Sequence, residues 1–272
     1  MNYMEIRGED CVKILLDDMQ TLMIANPAIS LTGCLLEALV DKKNKVIFCD
    51  SKRNPQSELI PCNGSHDCSR KLKQQIAWKE NDKGLMWTKI VAEEIIKQSQ
   101  FLSELGHNTE VDMLLGYIDE LEFADITNRE GHAAKVYFNK VFGMGFTRTQ
   151  LCPNNAALDY GYSLLLSTFN REIVANGYMT QFGLSHDNIY NHFNLSCDLM
   201  EPYRILVDRL VQKSDFVKFE SEEKRIMLTV LEQEILIKGT IQTIPNAIKI
   251  YVKSVFDALQ DNNMDKVMFY EL

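Results

Sequence analysis

Hydrophobic and polar residues alternate over short distances near the N-terminus and with a helical spacing afterwards. The early part contains short apolar runs bounded by polar turns, which predict β-strands. One helix is predicted among them, with Ser30 as its N-cap before a stripe of leucines. A polar segment with proline and glycine, from Asp50 to Gly64, predicts a loop. The predicted strands are residues 3–6, 12–16, 21–24 and 45–49.

From His66 onward, apolar residues recur every three or four positions, which predicts amphipathic helices. The stripe after Pro245 is the most regular, and residues 235–241 are predicted as one strand between two helices. The pattern predicts an α+β multidomain protein with a small β-rich domain at residues 1–64 and a larger helical domain at 65–272. The other predicted helical segments are residues 68–80, 84–105, 109–121, 129–143, 154–176, 198–213 and 221–233.

The composition is that of a folded, globular chain, because 46% of the residues are hydrophobic and 25% are charged. No apolar run approaches the roughly 20 residues that span a bilayer, and no basic segment followed by an apolar one opens the chain. We therefore expect a cytoplasmic protein without a membrane partner. The seven cysteines are scattered, which predicts free thiols. Cys62, His66 and Cys68 lack the CxxC spacing and the fourth ligand of a zinc site.

The formal net charge of −9, taken over the whole surface, argues against a polyanion such as DNA as the main partner. The local charge differs, since no acidic residue lies between Glu130 and Asp159, where aromatic and basic residues are interleaved. Such a segment either contacts a phosphate backbone or forms the solvated polar face of a helix, and the pattern leaves both open. The candidate DNA-binding residues are Lys135, Lys140 and Arg148 here and Arg70, Lys71 and Lys73 in an earlier basic cluster.

Glu130 is the first candidate ligand, because at helical spacing it shares a face with apolar residues that include Ala134 and Tyr137. A carboxylate on such a face costs several kcal/mol unless a cation or a donor satisfies it. The alternative is that Glu130 occupies the first turn of a helix, where the dipole favours an acid and water can reach it.

A second candidate group is the run from Asp198 to Arg204, which contains Glu201 and Pro202. One interpretation is a capping box, with Asp198 as N-cap, Glu201 three residues later and Arg204 pairing back onto them. The other is that Glu201 is a hard oxygen ligand in a cleft, oriented by Asp198 and Arg204. The spacing alone leaves the two interpretations open.

His186 lies in a polar turn between predicted helices and is either a hydrogen-bonded surface histidine or a ligand. The sequence contains no HExxH motif, no Walker loop and no GxGxxG motif. These absences argue against a zinc protease of the usual arrangement and against a nucleotide cradle.

Taken together, several ordered segments resemble one family, the CRISPR-associated endonuclease/integrase of the adaptation module. The run Lys45-Val-Ile-Phe-Cys-Asp50 and the run Gln74-Gln-Ile-Ala-Trp-Lys79 are similar to the subfamily found with type II systems. The resemblance covers nearly the whole chain. The segments that carry it are Arg129-Glu-Gly-His-Ala-Ala-Lys-Val-Tyr-Phe138, Asn155-Ala-Ala-Leu-Asp-Tyr-Gly-Tyr162, Ser185-His-Asp-Asn188 and Asp198-Leu-Met-Glu-Pro-Tyr-Arg204.

This resemblance implies a β-sandwich-like N-terminal domain that dimerises and a helical catalytic domain. Residues 3–8 look like the second strand of the family's first hairpin, so the N-terminal domain is expected to lack its first strand. The implied ligands of a divalent metal, Mn²⁺ or Mg²⁺, which would also be the catalytic residues, are Glu130, His186 and Glu201. The residues implied to orient them or to contact phosphate are Asp198, Arg204 and Asn155.

The implied activity is the insertion of captured foreign DNA into a CRISPR array as new spacers, by transesterification. The implied partners are double-stranded DNA, a second copy of the chain and a small ferredoxin-like adaptation subunit in a hetero-hexamer. Other type II adaptation proteins and the effector nuclease are further candidates. Two alternatives stay open: a metal-dependent phosphodiesterase that hydrolyses DNA or RNA without joining ends, and a non-catalytic assembly subunit.

Overall fold

A computed structural model describes residues 2–8, 10–61 and 65–272 of the chain. The chain divides into two compact units, Met1–Gly64 and Ser65–Leu272. The cysteine–histidine group considered for zinc includes Cys62, which lies outside the described residues.

The first unit contains two small sheets and one helix. Strands β1 and β2 form an antiparallel hairpin, while β3 pairs in parallel with β4, and β4 pairs antiparallel with β5. Strand β5 lies within the segment that the sequence predicts as a loop. The elements are β1 (Tyr3–Arg7), β2 (Cys11–Leu15), β3 (Thr21–Ile24), α1 (Gly33–Asp41), β4 (Lys45–Cys49) and β5 (Pro55–Glu58).

One apolar core holds these elements together, because alternating strand positions and the leucine stripe of α1 face the same interior. Helix α1 begins after Thr32, whose hydroxyl accepts a hydrogen bond from the Leu35 amide, so the predicted N-cap at Ser30 is wrong by two residues. The buried members of the core are Met4, Leu16, Ile24, Leu39 and Val46.

The second unit is built mainly of helices. Helices α3, α6 and α10 contain the most buried residues, since each has apolar residues on the faces that meet its neighbours. Helix α3 packs against α4, α5 and the turn at residues 201–203. The helices are α2 (Cys68–Ile76), α3 (Glu80–Glu104), α4 (Asn108–Asp119), α5 (Arg129–Phe142), α6 (Pro153–Ala175), α7 (Asn194–Met200), α8 (Arg204–Ser214), α9 (Ser221–Leu228) and α10 (Ile244–Asp261).

A three-stranded antiparallel sheet lies within this unit, in the order β7–β6–β8. Its strands are β6 (Glu234–Ile237), β7 (Thr240–Thr243) and β8 (Tyr270–Glu271). The single strand predicted at residues 235–241 is therefore a hairpin, because Lys238 and Gly239 adopt positive φ and turn the chain. The predicted fold class, small N-terminal β-sheets followed by a helical domain, is confirmed. No helix among the described residues is long and apolar enough to cross a membrane.

The segment from Asn194 to Ser214 differs from its prediction. Helix α7 begins at Asn194, and a 3₁₀ turn at Glu201–Tyr203 leads directly into α8. Pro202 sits in that turn, where a missing amide donor costs little. Asp198 is fully buried inside α7, so the predicted role of Asp198 as an N-cap is wrong.

Candidate metal centre

Three glutamates from separate elements converge in the second unit. Glu94 comes from the middle of α3, Glu130 from the first turn of α5, and Glu201 from the 3₁₀ turn before α8. One carboxylate oxygen from each lies within 4.8 Å of the others. Of the predicted ligands, Glu130 and Glu201 are in this group, and Glu94 is an addition that the sequence analysis missed.

Glu130 is held in place by the way α5 begins. The carboxylate of Asp125 accepts hydrogen bonds from the Arg129 amide at 2.6 Å and the Glu130 amide at 3.1 Å. These bonds satisfy two donors that have no partner inside the helix. Glu130 therefore lies in the first turn of a helix, as one interpretation expects, and also faces a carboxylate cluster, while its role as a metal ligand stays a prediction.

Glu201 is almost fully buried and has one cationic neighbour. Its Oε1 lies 2.7 Å from a terminal guanidinium nitrogen of Arg204, so the predicted pairing of Arg204 is confirmed. Its Oε2 is buried and accepts no hydrogen bond among the described residues. One oxygen of Glu201 is thus fixed by an ion pair, and the other is left for a further ligand.

Burial and mutual repulsion govern the ionisation of this cluster. Burial, followed by the charges of Glu201 and Glu130, raises the pKa of Glu94 well above its ordinary value. Burial raises the pKa of Glu201 to about 8, although Arg204 opposes the change. Burial likewise raises the pKa of Glu130. Three carboxylates held this close therefore carry full charge only when a cation shares the site.

His186 is oriented by Asp198. Its Nδ1 lies 2.5 Å from Oδ1 of Asp198, and the Asp198 carboxylate also accepts hydrogen bonds from the amides of Leu184, Ser185 and His186. This hydrogen bond raises the pKa of the imidazole, and the Glu201 and Glu130 charges act in the same direction. The remaining ring nitrogen, Nε2, is the one available for a ligand.

The donor set fits a hard divalent cation. Carboxylate oxygens suit Mg²⁺ and Mn²⁺, and one imidazole added to them favours Mn²⁺. Glu94 and Glu201 each have a buried carboxylate oxygen without a hydrogen-bond partner among the described residues. A bound cation would satisfy both oxygens, which otherwise carry an uncompensated cost of desolvation.

A cavity of about 570 Å³ opens at the carboxylates and continues along a wall with basic residues. Arg148 places its guanidinium over the Tyr162 ring at 5.2 Å, and Arg204 lies over the same ring at 5.4 Å. The Tyr162 hydroxyl donates to the buried Asp208. Tyr162 thus contacts two guanidinium groups with its ring and the buried Asp208 with its hydroxyl.

Asn155 fixes Arg148 and the loop that carries it. Its Nδ2 donates to the carbonyl oxygens of Thr147 and Gln150, both at 2.8 Å, and its Oδ1 accepts from Arg148. Both ends of the amide are therefore occupied within the protein. Asn155 therefore acts on the cavity through its contact with Arg148, because its own amide group is already hydrogen-bonded within the protein.

The predicted DNA-binding residues differ in whether their positive charges are already paired with acidic side chains. Lys135 is exposed on the cavity rim, whereas Lys140 pairs with Glu110 at 2.8 Å and Arg148 pairs with Asp159. In α2, Arg70 and Lys71 both pair with Asp67, and Lys73 is exposed. Of these six residues, Lys135, Lys140 and Arg148 lie on α5 or near the cavity, and Arg70, Lys71 and Lys73 lie on α2.

Sequence reasoning missed Glu94, Tyr162 and Asp208 as members of this site. Glu94 had a usable signal, because the residues one turn away on α3 are the buried Ile90, Val91 and Gln98. The same argument that selected Glu130, a carboxylate on an apolar stripe, applies to it.

An α+β chain in which three glutamates converge near a histidine oriented by a buried carboxylate has side chains that could hold a divalent cation. The chain belongs to the family of CRISPR associated protein Cas1, whose family model matches residues 3–240. The resemblance predicted from the sequence is confirmed for the family, and the type II subfamily stays a prediction. The CRISPR-associated endonuclease Cas1 of Neisseria meningitidis is 33% identical over 196 residues, covering 72% of this chain and 64% of the relative.

Solved structures share the fold. A CAS1 protein from Thermotoga maritima matches with a TM-score of 0.75 and 19% identity, covering 96% of this chain and 93% of that one. A casposase bound to an integration product gives 0.77 and 17%, covering 93% and 82%. A chain of a Cas6-RT-Cas1–Cas2 complex gives 0.73 and 17%, covering 98% and 34%.

Proposed function

We propose that this chain is a divalent-metal-dependent DNA endonuclease and integrase that inserts captured DNA into a CRISPR array. The observation that carries the proposal is the convergence of Glu130 and Glu201, with an unpartnered buried oxygen on Glu201, near a histidine oriented by Asp198. Membership of the Cas1 family supports the same activity. The casposase structure, which is bound to an integration product, agrees with strand transfer by this fold.

The residues proposed to hold Mn²⁺ or Mg²⁺ are Glu130, His186 and Glu201. A bound cation would activate a water or a 3′-hydroxyl and offset the charge that develops on the phosphate. Asp198 keeps Nδ1 of His186 engaged, so that Nε2 is presented in a fixed direction. Arg204 holds one oxygen of Glu201 and leaves the other for the cation.

The cationic wall of the cavity is proposed to bind the DNA backbone beside these ligands. Arg148 is held by Asn155 and by stacking over Tyr162, and Lys135 lies on the rim. A guanidinium fixed on an aromatic ring loses little freedom when it binds a phosphate oxygen. Strand transfer replaces one phosphodiester with another, so the chemistry is nearly balanced and needs no nucleotide-binding site.

The proposed partners follow from the family. They are double-stranded DNA, a second copy of this chain that pairs through the N-terminal unit, and the small ferredoxin-like adaptation subunit in a hetero-hexamer. The Cas6-RT-Cas1–Cas2 complex, which contains a chain of this fold, supports an assembly with that subunit. Other type II adaptation proteins and the effector nuclease, and a cytoplasmic location, are further proposals.

The experiment that tests this proposal supplies the two possible nucleophiles, water and a DNA 3′-hydroxyl, in one reaction. The full chain is incubated with the small subunit, a labelled duplex bearing a 3′-hydroxyl and a supercoiled plasmid carrying the repeat, with and without Mn²⁺. We expect joined product only with Mn²⁺, and none from His186→Ala. His192→Ala is the matched control, because His192 is an exposed histidine in the same loop region and is expected to leave joining unchanged.

The outcome separates the alternatives. Cleavage without joining under these conditions would support a hydrolytic phosphodiesterase instead of an integrase. Full joining by His186→Ala, or joining that persists in excess chelator, would contradict the proposed metal site.

A further inference from the structure

Glu94 has the properties of a ligand and no other visible purpose. The residue is 7% exposed, and it lies in the middle of α3, one turn after the fully buried Ile90 and Val91. No ion pair reaches it among the described residues. An unpaired carboxylate in such a place is costly, so its presence calls for a compensating group.

One carboxylate oxygen of Glu94 accepts a hydrogen bond, and the other has no partner among the described residues. Gln98, one turn further along α3, donates from Nε2 to Oε1 of Glu94 at 2.8 Å. Oε2 of Glu94 is buried and has no partner among the described residues, and the residue lines the cavity that Glu130 and Glu201 also line. The same division, one oxygen held and one left, is found at Glu201 with Arg204.

The charge of the three clustered glutamates also favours a bound cation. Arg204 pairs with Glu201, while Glu94 and Glu130 have no cationic partner within ion-pair distance in the described part of the chain. Full ionisation of the cluster would therefore leave two negative charges unbalanced at the end of the cavity. One divalent cation held among the three glutamates would neutralise them.

We propose that Glu94 is a third carboxylate ligand, so that this chain binds its divalent cation through Glu94, Glu130 and Glu201 in addition to His186. This inference rests on the proposed metal-dependent function and extends its ligand set. An added carboxylate strengthens binding of Mg²⁺ and Mn²⁺, which prefer charged oxygen ligands. Gln98 is a positioning residue that aims the free oxygen of Glu94 into the site.

The test measures Mn²⁺ binding to the full chain by calorimetry, without DNA and without any activity readout. Glu94→Gln keeps the size and the hydrogen-bonding capacity of the side chain but removes its charge. We expect the Kd for Mn²⁺ to rise about tenfold or more. Glu80→Gln is the control, because Glu80 lies on the same helix, is 87% exposed and is outside the cavity.

A second measurement covers a change in folding. Thermal unfolding in chelator is expected to show Glu94→Gln at least as stable as the parent protein, since the cost of ionising a buried carboxyl group without a cation is gone. Added Mn²⁺ should then raise the Tm of the parent more than that of the variant. An equal Tm increase in both proteins would overturn the inference.

The outcomes distinguish this inference from the proposed function. If the parent binds Mn²⁺, His186→Ala weakens the binding and Glu94→Gln leaves it unchanged, the ligand role of Glu94 is wrong and the metal-dependent function stands. If the parent binds no Mn²⁺, both are wrong.

Discussion

Oδ1 of Asp198 lies 2.5 Å from Nδ1 of His186, and the same carboxylate accepts hydrogen bonds from three successive backbone amides of the loop. Asp198 is fully buried in α7 and therefore fixes both the loop and the imidazole it carries. A histidine whose Nδ1 is held by a hydrogen bond presents Nε2 in one direction. Metal-binding histidines are commonly oriented in this way by a carboxylate.

The first prediction concerns this contact. Asp198→Asn keeps the size of the side chain but weakens the hold on Nδ1 and on the three amides. We expect a 10- to 100-fold (order of magnitude) loss of Mn²⁺ affinity, measured by calorimetry. Circular dichroism should show the helices retained. Unchanged affinity in a folded variant would contradict the orienting role of Asp198.

The second prediction concerns Gly183, which lies against the same loop. A Cβ there would come within 2.2 Å of the His186 carbonyl oxygen and 2.7 Å of Oδ2 of Asp198. Gly183→Ala is therefore expected to lower the free energy of unfolding by about 1–3 kcal/mol and to weaken Mn²⁺ binding. Gly116→Ala is the matched control, because a Cβ in α4 meets nothing within 4 Å and should stabilise by about 0.5–1 kcal/mol. Equal effects of the two substitutions would count against the close packing at Gly183.

The third prediction compares two lysines of α5 in DNA binding. Lys135 is exposed at the cavity rim, whereas Lys140 is already paired with Glu110. Lys135→Gln should reduce the slope of log K against log salt by about 1, as expected for one lost phosphate contact. Lys140→Gln should change the slope less. A larger change for Lys140 would place the DNA along a different surface.

The fourth prediction concerns pH and Asp208. Burial raises the pKa of Asp208 from 3.8 to about 6, although hydrogen bonds from Tyr162 and Tyr137 oppose the change. Protonation therefore favours the folded state, and this contribution is lost as the pH rises from about 4 through 6. The free energy of unfolding of the parent, relative to that of Asp208→Asn, should fall by about 2 kcal/mol between pH 4 and pH 6. Denaturant melts of both proteins in chelator at several pH values check this, and a flat difference would contradict it.

Periodicity in the sequence predicts the elements of this fold well, because the apolar stripes are long and regular. The helix at Arg129–Phe142 was predicted to within one residue. The start of α7 was not, since Asp198, Glu201 and Pro202 match a local capping pattern. The buried contact between Asp198 and the loop at residues 184–186 overrides that pattern, and no local rule reveals a contact between distant residues.

The residues of the site were likewise predicted only in part. Glu130, His186 and Glu201 were candidates from their positions in the sequence, with alternatives left open, and the resemblance to a known family assigned them as ligands. Glu94 was missed because no motif marks it, although its apolar neighbours did. The freedom of each basic charge, such as that of Lys135 compared with Lys140, depends on partners that only the folded chain brings close.

Locating the bound cation by crystallography is the strongest test of the proposed ligands Glu130, His186 and Glu201. Crystals of the full chain soaked in Mn²⁺ would be measured at the manganese absorption edge. We expect an anomalous peak within bonding distance of carboxylate oxygens of Glu130 and Glu201 and of Nε2 of His186. A peak elsewhere, or none at saturating Mn²⁺, would contradict it.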